Sequence, residues 1–171
     1  MEKTINYAET VENVFRDKNL SFGAKKDTDD GAIIFSLPMS ADNAPGINVV
    51  KLRVSEKGDS KLWCYLASNV PSRKRLAVIY ALNKLNGRYR YICLSLDKDG
   101  DVHASYDFAL FGDEEAVGDH VMAMLFLVAD VMDHCIPTIW KVMWLTDKDE
   151  DDHAEPKGEE GGDNITMNPF D

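Results

Sequence analysis

Long hydrophobic runs, paired cysteines and surplus basic charge are what this 171-residue chain has little of. Its longest apolar run, Val121–Ala129, is nine residues, cut off by Asp130, Asp133 and His134. A membrane span needs about 20, so neither a span nor a membrane partner is expected. The opening "MEKTINYAETVENVF" carries charges where a signal peptide would have its apolar core. Three cysteines, Cys64, Cys93 and Cys135, are an odd number without CxxC spacing. That argues against a disulfide framework and for three buried thiols in a soluble protein of a reducing cytoplasm. No strand–helix–strand alternation repeats and no Gly-rich phosphate loop is present, which argues against a doubly wound nucleotide fold. No Ser/His/Asp or Cys/His grouping stands out among His103, His120, His134 and His153. The expectation is therefore no enzyme and no cofactor.

What the chain does have is acid. Thirty Asp and Glu face nineteen Lys and Arg, a net charge of −11. Residues 147–171 alone hold ten acidic and two basic side chains, a balance of −8, leaving −3 for the first 146. No basic face large enough for nucleic acid survives this distribution. The short "SRKR" at 72–75 opens a helix and solvates its outer turn. The division expected is one α+β domain over 1–146 and an acidic, disordered tail over 147–171. That tail has too few apolar residues to fold unaided.

Within the first 146 residues the periodicity changes several times. Asn6 with Glu9 three positions on forms a capping box, and Ala8, Val11, Val14 and Phe15 give the helix behind it an inward face ending near Asn19. Short alternating segments follow: "LSFGAKK", "AIIFSLPM", "INVVKLRVS" and "KLWCYLAS". In the third, Val50, Leu52 and Val54 share one face and Lys51 and Arg53 the other. Pro71 starts a second helix, with Leu76, Ile79, Tyr80 and Asn83 on a common face and Gly87 at its end. A strand pair comes next, then a long helix from about Glu114 to Cys135. Pro137 begins a short last helix. Strands and helices do not alternate regularly, and no internal repeat is visible. The fold class expected is α+β, an antiparallel sheet with helices packed on one face.

The strand pair contains "LDKDGDVHASYD", whose acidic cluster invites a calcium reading. An EF-hand loop needs Gly at position 6 and Glu at position 12. Counted from Asp97, those places hold Val102 and Phe108. A hairpin turn on Asp99–Gly100 explains the cluster instead, since Asp-Gly suits a two-residue type I′ loop. Lys98 would then pair with Asp101. Tyr89, Tyr91, Cys93 and Ser95 would face the core with Leu110, Phe108, Tyr106 and Ala104. A one-residue slip through a three-residue loop would undo that sorting.

The stretch "LNKLNGRYRYICLSLDKDGDVHASYDFAL" resembles the signature region of the YbjN family, described as bacterial sensory-transduction regulators. Asn83, Asn86, Asp99, Gly100, Asp101 and Val102 match its Asn-x-x-Asn helix end and its Asp-x-Asp-Gly-Asp-Val turn. The order of elements over roughly 4–145 is similar to the type III secretion chaperone-like fold. The resemblance implies a small, dimeric, non-enzymatic regulator or chaperone-like binder, and carries no catalytic residue.

Asn83 and Asn86, three apart, are expected to bond strand or turn backbone where the second helix hands over to the hairpin. Asp130, Asp133 and His134 lie at metal-sharing spacing, with Asp119–His120 three turns earlier. No second His/Glu pair completes a shell, so no metal is expected. The stretch 121–145 is apolar nearly all round in its first half, which a helix covered on one side only does not need. Two readings stand side by side: core, or an additional dimer or partner interface. The interface candidates are Met122, Met124, Phe126, Met132, Trp140, Met143 and Trp144. The resulting expectation is a cytoplasmic homodimer that binds a polypeptide partner. The alternative is a small-molecule-sensing domain with a pocket between sheet and helices.

Overall fold

The computed structural model describes residues 5–27 and 29–144, with the side chains of Ala44 and Pro45 left aside. The acidic tail expected over 147–171 lies outside the described residues. Helix α1 spans Tyr7–Asp17 behind its Asn6 cap, whose side chain accepts the Glu9 N–H at 3.2 Å. Val11 and Phe15 on its inward stripe are fully buried.

Six strands follow: β1 (Gly23–Lys26), β2 (Ile33–Ala41), β3 (Ala44–Val54), β4 (Asp59–Ala67), β5 (Cys93–Leu96) and β6 (Val102–Ala109). They form one antiparallel sheet in the order β1-β2-β3-β4-β6-β5. Helix α2 (Arg75–Asn86) lies between β4 and β5 in the chain, and α3 (Glu114–Trp144) follows β6. The class is α+β, as the sequence pattern implied. Alternation decides which face of the sheet is covered. Phe35, Val50, Leu52, Val54, Leu62 and Cys64 are buried beneath the helices. Their neighbours Val49 and Tyr65 are about half exposed, and Lys51 rides over the Trp63 ring.

Helix α3 is one element of 31 residues, not two. Pro137 lies inside it instead of opening a second helix. A proline in a helix interior costs about 3 kcal/mol. Burial of Ile136, Ile139 and Met143 around it offsets that cost, at about 1.5–3 kcal/mol per side chain. The helix is long and apolar enough to cross a membrane by composition. Its stripe through Val117, Val121, Leu125, Val128 and Met132 is nevertheless buried against the rest of the protein.

The register of the β5–β6 hairpin differs from the sequence expectation. Leu94 pairs with Ala104 and Leu96 with Val102, while Cys93 sits opposite Ser105. This is the one-residue slip, closed by a three-residue loop at Lys98–Gly100. Ile92, Leu94, Val102 and Ala104 therefore face the core, and Tyr91 and Cys93 face outward. The cause is Asp97. Its Oδ1 accepts the N–H groups of Asp99, Gly100 and Asp101, each at 2.9 Å, and holds the longer loop. Only Gly100 has positive φ (95°) in this loop; Asp99 does not.

The slip also corrects one of the three cysteines. Cys64 and Cys135 are buried; Cys93 is exposed. Burial pushes the Cys64 thiol up to about 12 and raises that of Cys135. A thiol reagent at neutral pH is therefore expected to modify Cys93 at once, and Cys64 and Cys135 only after unfolding. Intact-mass spectrometry showing two or three rapid adducts in the native protein would contradict this placement.

Candidate functional site

The residues of the helix–strand–turn motif form a clasp. Asn86, in the last turn of α2, donates through Nδ2 to the Leu94 carbonyl at 3.0 Å and accepts the Leu94 N–H at 2.8 Å. Its amide thus takes the place of a further strand at the exposed edge of β5. Asp101 accepts the Asn69 N–H at 2.9 Å, and the Gly100 carbonyl accepts the Val70 N–H at 2.8 Å. Arg75, at the start of α2, donates to the carbonyls of Lys98 at 3.1 Å and Asp99 at 3.3 Å. The N–H groups of Asp101, Gly100 and Asp99 hold the Asp97 carboxyl below the ordinary carboxylate range. The hairpin is thus tied to both ends of α2, through its turn to Arg75 and through β5 to Asn86, and to the loop after β4.

Asn83 takes no part in this clasp. It is exposed, on the helix face it shares with Leu76, Ile79 and Tyr80. That shared face exists as the sequence indicated, but it points to solvent: Leu76 is 79% exposed and Tyr80 64%. Val78, Leu82 and Leu85 supply the buried side. With Arg73 and Ala77, the outward residues border an apolar hollow of about 650 Å³. Replacing Asn86 by Ala strands the Leu94 amide and carbonyl, and is expected to cost about 2 kcal/mol. Asn83→Ala should change stability by less than about 0.5 kcal/mol. Urea denaturation of both variants measures the difference.

The interface candidates on α3 separate into groups. Met132 and Met143 are core residues, so they are unavailable to a partner. Met122 and Met124 are half-buried and pack against that core. Phe126, Trp140 and Trp144 are exposed, Phe126 and Trp144 by about 70%. Phe126 and Met122 border two hollows beside α1 and β2.

Of Asp130, Asp133 and His134, the first and last contact each other and Asp133 turns to a different partner. Asp133 accepts the Asn43 backbone N–H at 2.5 Å and its side-chain amide at 2.9 Å, pinning the β2–β3 turn to α3. Asp130 accepts the Tyr89 hydroxyl at 3.4 Å and lies 3.3 Å from His134 Nδ1. His120 stacks on Phe108 at 5.3 Å, away from this group.

The family model for YbjN, "Putative bacterial sensory transduction regulator", matches residues 7–140. The chain belongs to the YbjN family. No curated protein matches it in sequence. Among solved structures, it is similar to the YbjN protein of E. coli, described as "a putative transcription regulator". That likeness has 13% identity and a TM-score of 0.49, and covers 72% of this chain and 87% of the other. A second similar structure is the Yersinia pestis type III secretion chaperone SycH in complex with a fragment of YscM2. It shares 15% identity at a TM-score of 0.45, covering 74% of this chain and 96% of that one.

In this member of the YbjN family, four residues of the motif make backbone contacts. Asn86, Gly100 and Asp101 hold backbone together, and Asp99 contributes its carbonyl. The sequence reading placed Arg75, within "SRKR", on a solvated outer turn; Arg75 instead bonds the hairpin and Lys74 is buried, because the acceptors of Arg75 lie more than twenty residues away. That reading also gave the apolar face of α2 no exposed role, because an apolar stripe looks the same whether a core or a partner covers it.

Proposed function

We propose that this chain is a non-enzymatic regulatory or chaperone-like module that binds a polypeptide partner and works as a homodimer in the bacterial cytoplasm. Membership of a family described as regulators supports the general role. The observation that carries the binding role is the cluster of large apolar side chains left in water on α2. Single exposed apolar residues are ordinary, but contiguous patches mark interaction sites. Leu76, Ile79 and Tyr80 are contiguous, at i, i+3 and i+4, around the 650 Å³ hollow. This surface is the better dimer seam, because Met132 and Met143 are in the core.

Light scattering of the full-length protein tests the assembly. The wild type is expected to be a dimer, and Leu76→Asp with Ile79→Asp a folded monomer with little change in melting temperature. A wild type that stays monomeric at high micromolar concentration would remove the homodimer. Binding to an array of unrelated peptides tests the other half. Uniform absence of binding would remove the polypeptide partner.

A further inference from the structure

A row of hollows follows one face of α3. The first, about 480 Å³, lies between α1 and the start of α3, where Val14 faces Gly118. The second, about 140 Å³, lies beside Phe126 and is floored by Leu20, Leu37, Pro38 and Met39. Both share Met122 and Phe126, so they join. A third, about 220 Å³, continues between Ser40–Asp42 and Ala129, Asp130 and Asp133. Of the ten α3 positions bordering them, 115, 118, 122, 126, 129 and 133 recur every three or four residues and form one stripe, with 114, 119, 125 and 130 beside it. From Glu114 to Asp133 the trough runs for about 28 Å at 1.5 Å per residue.

Its chemistry is graded along that length. The middle is apolar, with Phe126 69% exposed there. Asp17, Glu114, Glu115 and Asp119 border one end, and Asp42, Asp130 and Asp133 the other. Among the described residues bordering the three hollows, Lys18 alone is basic. We infer that the trough binds a polypeptide segment with an apolar centre and Lys or Arg at both ends. About 28 Å accommodates eight or nine extended residues at about 3.3 Å each. The apolar middle supplies burial for the partner's centre, and the two acidic ends fix its position by charge. The acidic segment 147–171, at −8, carries the wrong sign to occupy this trough itself.

This assignment rests on the polypeptide-binding reading above, and names the chemistry of the partner. Three labelled synthetic peptides of about ten residues test it against the full-length protein by fluorescence anisotropy. One has a Leu/Phe centre with two lysines at each end. The second has the same centre with glutamates at the ends, and the third has lysine ends with a serine centre. Only the first is expected to bind, and more weakly as salt rises. The triple variant Phe126→Ser, Glu115→Lys, Asp119→Lys alters exposed side chains, and its fold is checked by its melting curve. It should weaken that binding by at least about tenfold. Tyr65→Ser, on the sheet face away from the helices and outside all three hollows, should leave it unchanged.

Equal binding of the glutamate-ended peptide, or binding that the triple variant does not weaken, overturns the assignment. So does failure of the first peptide to bind. The peptide array separates these outcomes from failure of the wider reading: array binding that survives the triple variant leaves polypeptide binding standing without the trough. A wild-type dimer that the triple variant converts to monomer makes the trough a seam between copies, which also overturns it.

Discussion

Met132→Asp is expected to unfold most of the protein, while Phe126→Asp leaves it folded. The two residues lie on the same helix, six positions apart, and both are apolar. Met132 is fully buried on the stripe of α3 that packs into the core, whereas Phe126 is 69% exposed. An aspartate at 132 would place a carboxylate among buried apolar side chains. Leaving an unpaired carboxylate there, together with the lost packing of a methionine, costs at least about 4 kcal/mol. Domains of this size have only about 5–15 kcal/mol in total. At 126 the same substitution removes little buried area and should stay within about 0.5 kcal/mol. Urea titration followed by tryptophan fluorescence reads both. Similar midpoints for the two variants would mean that the stripe assignment on α3 is wrong.

Gly100→Val is the second large effect, expected at about 2–3 kcal/mol or more. Gly100 has φ 95°, a conformation that β-branched residues rarely adopt. Space is also lacking. A Cβ there would lie 2.6 Å from Arg75 Nη2 and 3.3 Å from the Val70 carbonyl oxygen. Arg75 cannot retreat freely, because it donates to the carbonyls of Lys98 and Asp99. The valine therefore strains its own backbone and also breaks the tie between the turn and the start of α2. Gly87→Ala is the matched control. Gly87 caps α2 at φ −65° and a Cβ there meets nothing closer than 3.4 Å. That substitution should be neutral or stabilising by up to about 1 kcal/mol, since it restricts the unfolded chain without straining the folded one. Loss at Gly87 equal to that at Gly100 would refute the strain argument.

Local rules made much of this fold readable before any coordinates. A helix that begins at an Asn cap, or a strand that alternates Val-Lys-Leu-Arg-Val, is determined by neighbours within a few residues. The first helix, the strands before α2 and the family motif follow from such rules, and all are present. The sequence alone also established the acidic excess and its concentration in residues 147–171.

The remaining features depended on partners distant in the chain. The register of β5 against β6 turned on whether the Asp97 carboxylate would gather three N–H groups, which the Asp-Gly pair does not disclose. The single course of α3 through Pro137 depended on the sheet beneath it, because core burial outweighed a local preference to stop. The common face read on α2 is the exposed one; the buried face through Val78, Leu82 and Leu85 is apolar too, and only tertiary packing tells them apart. The same holds for the trough along α3. Its acidic ends come from Asp17, Glu115 and Asp119 at one side and Asp42, Asp130 and Asp133 at the other. Those residues are scattered along the chain and meet only when α1, β2 and α3 pack together. Periodicity fixes which residues of an element share a face; only tertiary packing decides whether that face meets the core, water or a partner.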